Sequence, residues 1–172
     1  MTLRPILIHP DPRLKARTAD IAEVTDTLRA LADDMLETMY DAPGIGLAAP
    51  QIGVMQRMLV MDCVKKEDAG WKSGNKTPLV CINPVILDTS KKQVSQDEGC
   101  LSIPGPLAKI MRPRAVTVRY LNERGESEDR DLVGLWATSV QHQIDHLNGK
   151  LYFDHLSKMK RDMLLRKARK QG

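Results

Sequence analysis

The sequence predicts an α+β fold, with antiparallel strands around a central helix and further helices near both ends. The chain has 172 residues, the length of a single compact domain. Its hydrophobic residues make up 42% and its charged residues 28%, which is typical of a globular protein. The helical patterns flank a run of strand-like segments and do not alternate with them, which favours α+β over repeated β-α units.

The first predicted helix covers about residues 26–40. Thr25 or Asp26 suits its N-cap, and Pro43 and Gly44 follow its end. The apolar side chains recur at helical spacing and are interpreted as core: Leu28, Leu31, Ala32, Met35 and Met39.

The middle of the chain is rich in short strand-like segments. They cover residues 58–61, 79–82, 85–87 and 115–121. A turn at residues 122–125 then predicts a hairpin, whose returning strand ends near Val133. Residues 65–76 are polar and are predicted to form a surface loop.

Two more helices are predicted in the last third of the chain. The first covers about residues 134–148, with Val140 and Ile144 on one face and Gly149 just past its end. Ser157 can cap the second, in which Met159 and Met163 lie one turn apart.

The positive charge of the chain is concentrated at its end. Residues 157–172 carry a net charge of +6, so residues 1–156 carry −2 of the total of +4. We therefore divide the chain into a domain, 1–156, and a basic helical tail, 157–172. The tail is either a solvated helix end or a docking site for an anionic partner.

Composition argues against several classes of protein. No apolar run approaches the roughly 18 residues of a membrane span. The N-terminal segment lacks a signal core, so we expect a cytoplasmic protein. The three cysteines argue against a disulfide framework, and 3% aromatic residues argue against stacking on single-stranded nucleic acid.

His142 and His146 are four residues apart on the predicted central helix, so both imidazoles lie on one face. This spacing is typical of two ligands of one metal ion, although such pairs are also found without a metal. Cys100 could supply a third ligand, which would leave a coordination position open, as in catalytic sites. It could instead be a small buried side chain, which is our interpretation of Cys63 and Cys81.

Three segments resemble the peptide deformylases in order and spacing. They are Gly44-Ile45-Gly46-Leu47-Ala48-Ala49-Pro50-Gln51, Glu98-Gly99-Cys100-Leu101-Ser102 and Gln141-His142-Gln143-Ile144-Asp145-His146. The resemblance runs from about residue 3 to residue 156. It implies a metal-dependent hydrolase that removes the formyl group from formyl-methionyl peptides of nascent chains. It also implies one divalent metal ion, natively Fe²⁺ and replaceable by Zn²⁺, Ni²⁺ or Co²⁺, held by Cys100, His142 and His146.

The same resemblance implies roles for other residues. Gln51 and the backbone N–H of Leu101 correspond to the donors that meet negative charge on the substrate oxygen. Leu135, Thr138 and Ser139 would face the pocket for the methionine side chain, although two of them are polar. The substrate-binding residues implied in all are Gly44, Ile45, Gly46, Glu98, Gly99, Leu135, Thr138 and Ser139.

The central helix departs from the family pattern at one position. The family has His-Glu-x-x-His, whose Glu is the general acid and base, and this chain has Gln143 there. An amide does not accept a proton at neutral pH, and loss of a positioned general base costs about 10²–10⁴ in rate. Gln143 fits either a natural paralogue with altered activity or a deliberate Glu→Gln change that traps substrate.

These observations bear on four functions. The first is a deformylase slowed by Gln143, and the second is a catalytically inactive protein of the same fold that binds formyl peptides or metal. An unrelated zinc protease would leave Cys100 without a role. Nucleic-acid binding would be an accessory function, because only the tail is basic. Some deformylases dock on the ribosome through a C-terminal helix, so the resemblance implies ribosomal RNA as the partner of the tail.

Overall fold

Three α-helices, three short 3-10 helices and seven strands form the regular structure of the part that the computed structural model describes, residues 1–64 and 76–171. The predicted loop at residues 65–76 lies outside this part except for its last residue. The α-helices are α1 (Asp26–Asp41), α2 (Gly134–Leu147) and α3 (Lys158–Gln171). The strands are β1 (Gly46–Ala48), β2 (Met58–Met61), β3 (Leu79–Thr89), β4 (Gln93–Cys100), β5 (Ile103–Pro113), β6 (Ala115–Leu121) and β7 (Ser127–Val133).

The larger sheet has five antiparallel strands in the order β1-β2-β3-β6-β7. Strand β2 and the first half of β3 are buried on both faces, because α1 and α2 cover opposite faces of the sheet there. Leu59 and Met61 of β2 belong to the same core cluster as Val140 of α2. Val60, which points to the opposite face, belongs to the cluster that contains Met35 of α1.

The smaller sheet is the hairpin of β4 and β5, which pair antiparallel with an irregularity between Glu98 and Cys100. Ile103 and Ile110 of β5 join a third apolar cluster, to which α3 contributes Leu164. This cluster fixes the hairpin beside α2, so that the end of β4 faces the central helix.

The predicted fold class is confirmed, and several local predictions agree with the structure. Thr25 caps α1 by accepting a hydrogen bond from Leu28 N at 3.2 Å. Gly149 follows α2 with a φ of 76°, a conformation that glycine adopts readily. The two predicted segments at residues 79–82 and 85–87 form one strand, β3, with a register shift between them.

Some features of the fold were not predicted. Strands β4 and β5 were not predicted from the sequence. Leu164 of the predicted tail is buried, while Met159 and Met163 are exposed. The boundary between residues 156 and 157 remains a prediction. None of the described helices has the length and apolar character that crossing a membrane requires.

Candidate metal centre

Three potential ligands meet between the hairpin and the central helix. Cys100 is the last residue of β4, and His142 and His146 are one turn apart on α2. His146 Nε2 lies 3.3 Å from Cys100 Sγ and 3.2 Å from His142 Nε2. The ligand atoms of all three residues lie within 4.8 Å of one another. Donors about 2.0–2.3 Å from one ion in tetrahedral geometry are roughly 3.3–3.7 Å apart, so this arrangement fits a divalent transition metal.

The charge states of the cluster pair a thiolate with an imidazolium. Burial acts to raise the pKa of Cys100, but the imidazoles of His146 and His142 outweigh burial and lower it to about 5. Burial likewise acts to lower the pKa of His142, but Cys100 and Glu98 raise it to about 9, so a metal ion would displace a proton from this imidazole. The thiolate, which is the form that binds metals, is therefore stabilised in place.

A chain of buried charges holds His142 in position. Its Nδ1 donates to Glu98 Oε1 at 2.9 Å, which directs Nε2 toward the centre. Arg112 of β5 donates to both oxygens of Glu98, at 2.6 and 3.0 Å, and to Asp145 Oδ2 at 3.0 Å. Although burial acts to raise the pKa of Glu98, His142 and Arg112 lower it, so Glu98 is a carboxylate. Asp145 is also bonded to His155 at 2.8 Å.

Arg112 was not predicted from the sequence. It lies 12 residues beyond Cys100 on the other strand of the hairpin, so only the pairing of β4 with β5 brings it to Glu98. Its side chain is 4% exposed. Ile110 and Arg112 are both buried and share one face of β5, and this alternation is the signal that could have identified an inward-facing arginine.

A cleft of about 780 Å³ opens in front of the cluster. Every residue that the resemblance assigned to the site lines it, with the exception of His146. His146 is 1% exposed and lies behind Cys100 and His142. Glu98 lines the cleft, but its carboxylate is bonded to Arg112 and His142. It therefore orients the imidazole of His142 and does not face the open space of the cleft.

The cleft also contains both predicted glutamines. Gln51 Oε1 accepts a hydrogen bond from Ala48 N at 2.9 Å. This contact directs its Nε2 toward Ser102 Oγ at 3.1 Å and Cys100 Sγ at 3.7 Å. Gln143 is packed against Gly46, where a Cβ atom would lie 2.5 Å from Gln143 Nε2. A side chain at position 46 would have to displace Gln143 Nε2 or Ser139 Oγ, which would lie 2.5 and 2.9 Å from its Cβ atom.

Three convergent potential ligands at the back of an open cleft have the arrangement of a catalytic metal site rather than of a closed structural one. A family model described as polypeptide deformylase matches residues 3–162. The chain belongs to the peptide deformylase family, as the resemblance of its motifs indicated.

Relatives with similar sequences and solved structures with similar folds support the same family assignment. A peptide deformylase of Rhizobium meliloti (strain 1021) is 48% identical over 170 residues, which cover 99% of this chain and 94% of that protein. One from Agrobacterium fabrum is 49% identical, with coverage of 99% and 96%.

Two crystal structures are similar over nearly their whole length. The peptide deformylase of Legionella pneumophila has a TM-score of 0.89 and 40% identity, with coverage of 99% of this chain and 95% of that one. That of Ehrlichia chaffeensis in complex with actinonin has a TM-score of 0.90 and 41% identity, with coverage of 99% and 98%. This chain is accordingly a hydrolase, and the comparisons favour an enzyme over the inactive paralogue.

Proposed function

We propose that this chain removes the formyl group from formyl-methionyl peptides of nascent chains by metal-dependent hydrolysis, at a rate limited by Gln143. The observation that carries the proposal is the convergence of Cys100, His142 and His146 at the back of the cleft. Membership of the deformylase family supplies the reaction class.

The three ligands would hold one divalent ion, and we propose Fe²⁺ as the native metal. A thiolate with two imidazoles also suits Zn²⁺, Ni²⁺ and Co²⁺, so availability decides which ion is bound. When bound, the ion supplies Lewis acidity that makes water more nucleophilic and a carbonyl more electrophilic.

The chain's own residues would orient the substrate and stabilise charge. An extended peptide can pair with the free edges of β1 at Gly46 and of β4 at Gly99, because each strand has a described partner on one side only. Gln51 Nε2 and the backbone N–H of Leu101 would donate to the formyl oxygen as negative charge develops there.

Gln143 would act as a positioning group in this reaction. Its amide can donate and accept hydrogen bonds, but it cannot take a proton from water or deliver one to the departing amine. Proton transfer would then depend on solvent, which is the physical reason for a slow rate.

Formate release from a formyl-Met peptide tests the proposal. The chain, loaded anaerobically with one equivalent of metal, should release formate slowly, and Gln143→Glu should be faster by about 10²–10⁴. Cys100→Ser in the Gln143→Glu background, at matched metal concentration, is the control for dependence on the site. If neither the unaltered chain nor Gln143→Glu releases formate while metal is bound, the proposal is contradicted. Binding of actinonin, which the Ehrlichia protein binds, is an independent test of the cleft.

We also propose that the enzyme works in the cytoplasm and meets its substrate at the ribosome, through α3. The support is electrostatic, because exposed cations follow one another along this helix: Lys158, Lys160, Arg166, Lys167, Arg169 and Lys170. RNA phosphates would bind such a surface in a salt-dependent manner.

Charge reversal tests this partner without removing the buried Leu164. Lys160→Glu with Lys167→Glu should weaken co-sedimentation with ribosomes and reduce its dependence on salt, while turnover of a free peptide stays unchanged. Equal co-sedimentation of the variant and the unaltered chain at low salt contradicts the ribosome proposal.

A further inference from the structure

Five side chains form a hydrogen-bonded network that joins the metal cluster to the protein surface. It begins at His142, whose Nδ1 donates to Glu98, and it continues through Arg112 to Asp145. Asp145 Oδ2 also lies 2.8 Å from Nε2 of His155, so the outermost member is an imidazole. The side chains of Glu98 and Arg112 are buried, whereas that of His155 is 37% exposed. This His142 network therefore runs from a potential metal ligand to solvent.

The position of His155 is fixed by a short helix of its own. His155 is the last residue of the 3-10 helix Tyr152–His155. Tyr152 and Phe153 of that helix are buried in the third apolar cluster, beside the hairpin of β4 and β5. The Tyr152 ring also stacks on the His142 ring, with centroids 6.0 Å apart. The segment that presents His155 to the network is therefore itself packed against a potential metal ligand.

Asp145 depends on both of its donors, because two carboxylates share one guanidinium. Arg112 forms two bonds with Glu98 but only one with Asp145, at 3.0 Å. The same oxygen of Asp145, Oδ2, accepts the bond from His155. Without His155, Arg112 would be the only side-chain partner of Asp145 within the described parts of the chain, and Asp145 would draw the guanidinium away from Glu98. A displaced Glu98 would hold the ring of His142 less firmly.

The network does not carry protons between the cluster and solvent. An arginine side chain stays protonated in proteins, so Arg112 interrupts any transfer between Glu98 and Asp145. The network acts instead by holding side chains in place and by compensating charge. The role of His155 is therefore one of positioning, and its effect falls on the binding of the metal.

We propose that His155 is a positioning residue, which strengthens metal binding by holding Asp145 and Arg112 in the arrangement that orients His142. Partners that orient a metal ligand directly are worth about 10–100-fold in affinity. His155 acts through three intervening side chains and is partly exposed, so its effect should be smaller, about three- to tenfold. The inference rests on the proposed function, because it assumes that the cluster binds a divalent ion.

Competition with a chelator at neutral pH measures the dissociation constant for zinc of each variant. His155→Ala should weaken zinc binding about three- to tenfold. His155→Gln should restore most of the affinity, because its amide N–H can replace the imidazole donor. The absorption bands of the cobalt-loaded chain give a second readout, and they should shift in His155→Ala and return in His155→Gln. A mere loss of packing would not be reversed by glutamine.

His9 provides the matched control. Its ring lies edge-on to Phe153 of the same 3-10 helix, with centroids 5.3 Å apart, and no hydrogen bond of the described residues joins it to the His142 network. His9→Ala should leave the zinc affinity unchanged. Equal zinc affinity of the unaltered chain and His155→Ala overturns the inference alone, and so does a loss that His155→Gln fails to reverse or that His9→Ala reproduces. Failure of the unaltered chain to bind zinc overturns the proposed function and this inference with it.

Discussion

Removing the Arg112 guanidinium should destabilise the whole domain, because that group neutralises a buried carboxylate next to the metal site. In Arg112→Met the side chain keeps much of its apolar length but loses its charge. Glu98, whose side chain is 5% exposed, then loses hydrogen bonds of 2.6 and 3.0 Å. Asp145 loses a contact of 3.0 Å, although His155 remains bonded to it.

The expected loss follows from burial. Breaking a buried ion pair by removing one partner costs about 3–5 kcal/mol, because the remaining charge is left uncompensated. We expect about 3 kcal/mol here, since His142 Nδ1 still donates to Glu98. Arg119 supplies a matched control, because it makes a similar paired contact with Asp129, at 2.7 and 2.9 Å. Its side chain is 56% exposed, so Arg119→Met should cost only about 0–1 kcal/mol.

Urea unfolding at neutral pH, followed by circular dichroism, measures both variants against the unaltered chain. The account predicts a clear fall in the unfolding midpoint for Arg112→Met and little change for Arg119→Met. Adding Glu98→Gln to Arg112→Met should restore part of the stability, because the uncompensated charge is removed. Similar losses for the two single variants would refute the reasoning that burial decides the effect.

Two further changes probe the packing of the cleft and the N-terminal segment. Gly46→Ala would place a methyl group 2.5 Å from Gln143 Nε2. Because this contact displaces the Gln143 side chain, kcat/KM for formyl peptides should fall at least about tenfold. An unchanged kcat/KM would show that Gln143 is free to move. The pKa of Asp34 is held below its usual value by the Thr2 N–H and by Arg4, so its stabilising contribution is present at neutral pH and is lost as the pH falls below about 4. The difference in melting temperature between the unaltered chain and Asp34→Asn should therefore disappear in acid, and a difference that persists there would contradict this assignment.

Local patterns sufficed for the elements that pack a regular apolar face. The 3.6-residue spacing around Met35 predicts α1, and the turn at residues 122–125 predicts the hairpin of β6 and β7. The hairpin of β4 and β5 has no such pattern. Inward positions of β4 include Gln96 and Glu98, and β5 contains prolines and a glycine, residues that normally argue against a strand.

The candidate site divides in the same way. The spacing of His142 and His146 can be recognised in the sequence because both lie on one helix face. Arg112 cannot be recognised in this way, since its role depends on strand pairing and on a contact with α2. The polarity of Thr138 and Ser139 is visible in the sequence, but only the structure shows that their hydroxyls make no bond within the helix.

The central claim is that Cys100, His142 and His146 bind one metal ion and leave a position open. X-ray absorption spectroscopy of the zinc-loaded chain tests this most directly. The account predicts one sulfur at about 2.3 Å, two nitrogens at about 2.0–2.1 Å and one further light atom. Cys100→Ser should remove the sulfur and keep the nitrogens. A first shell without sulfur, or a sulfur that survives Cys100→Ser, would contradict the account.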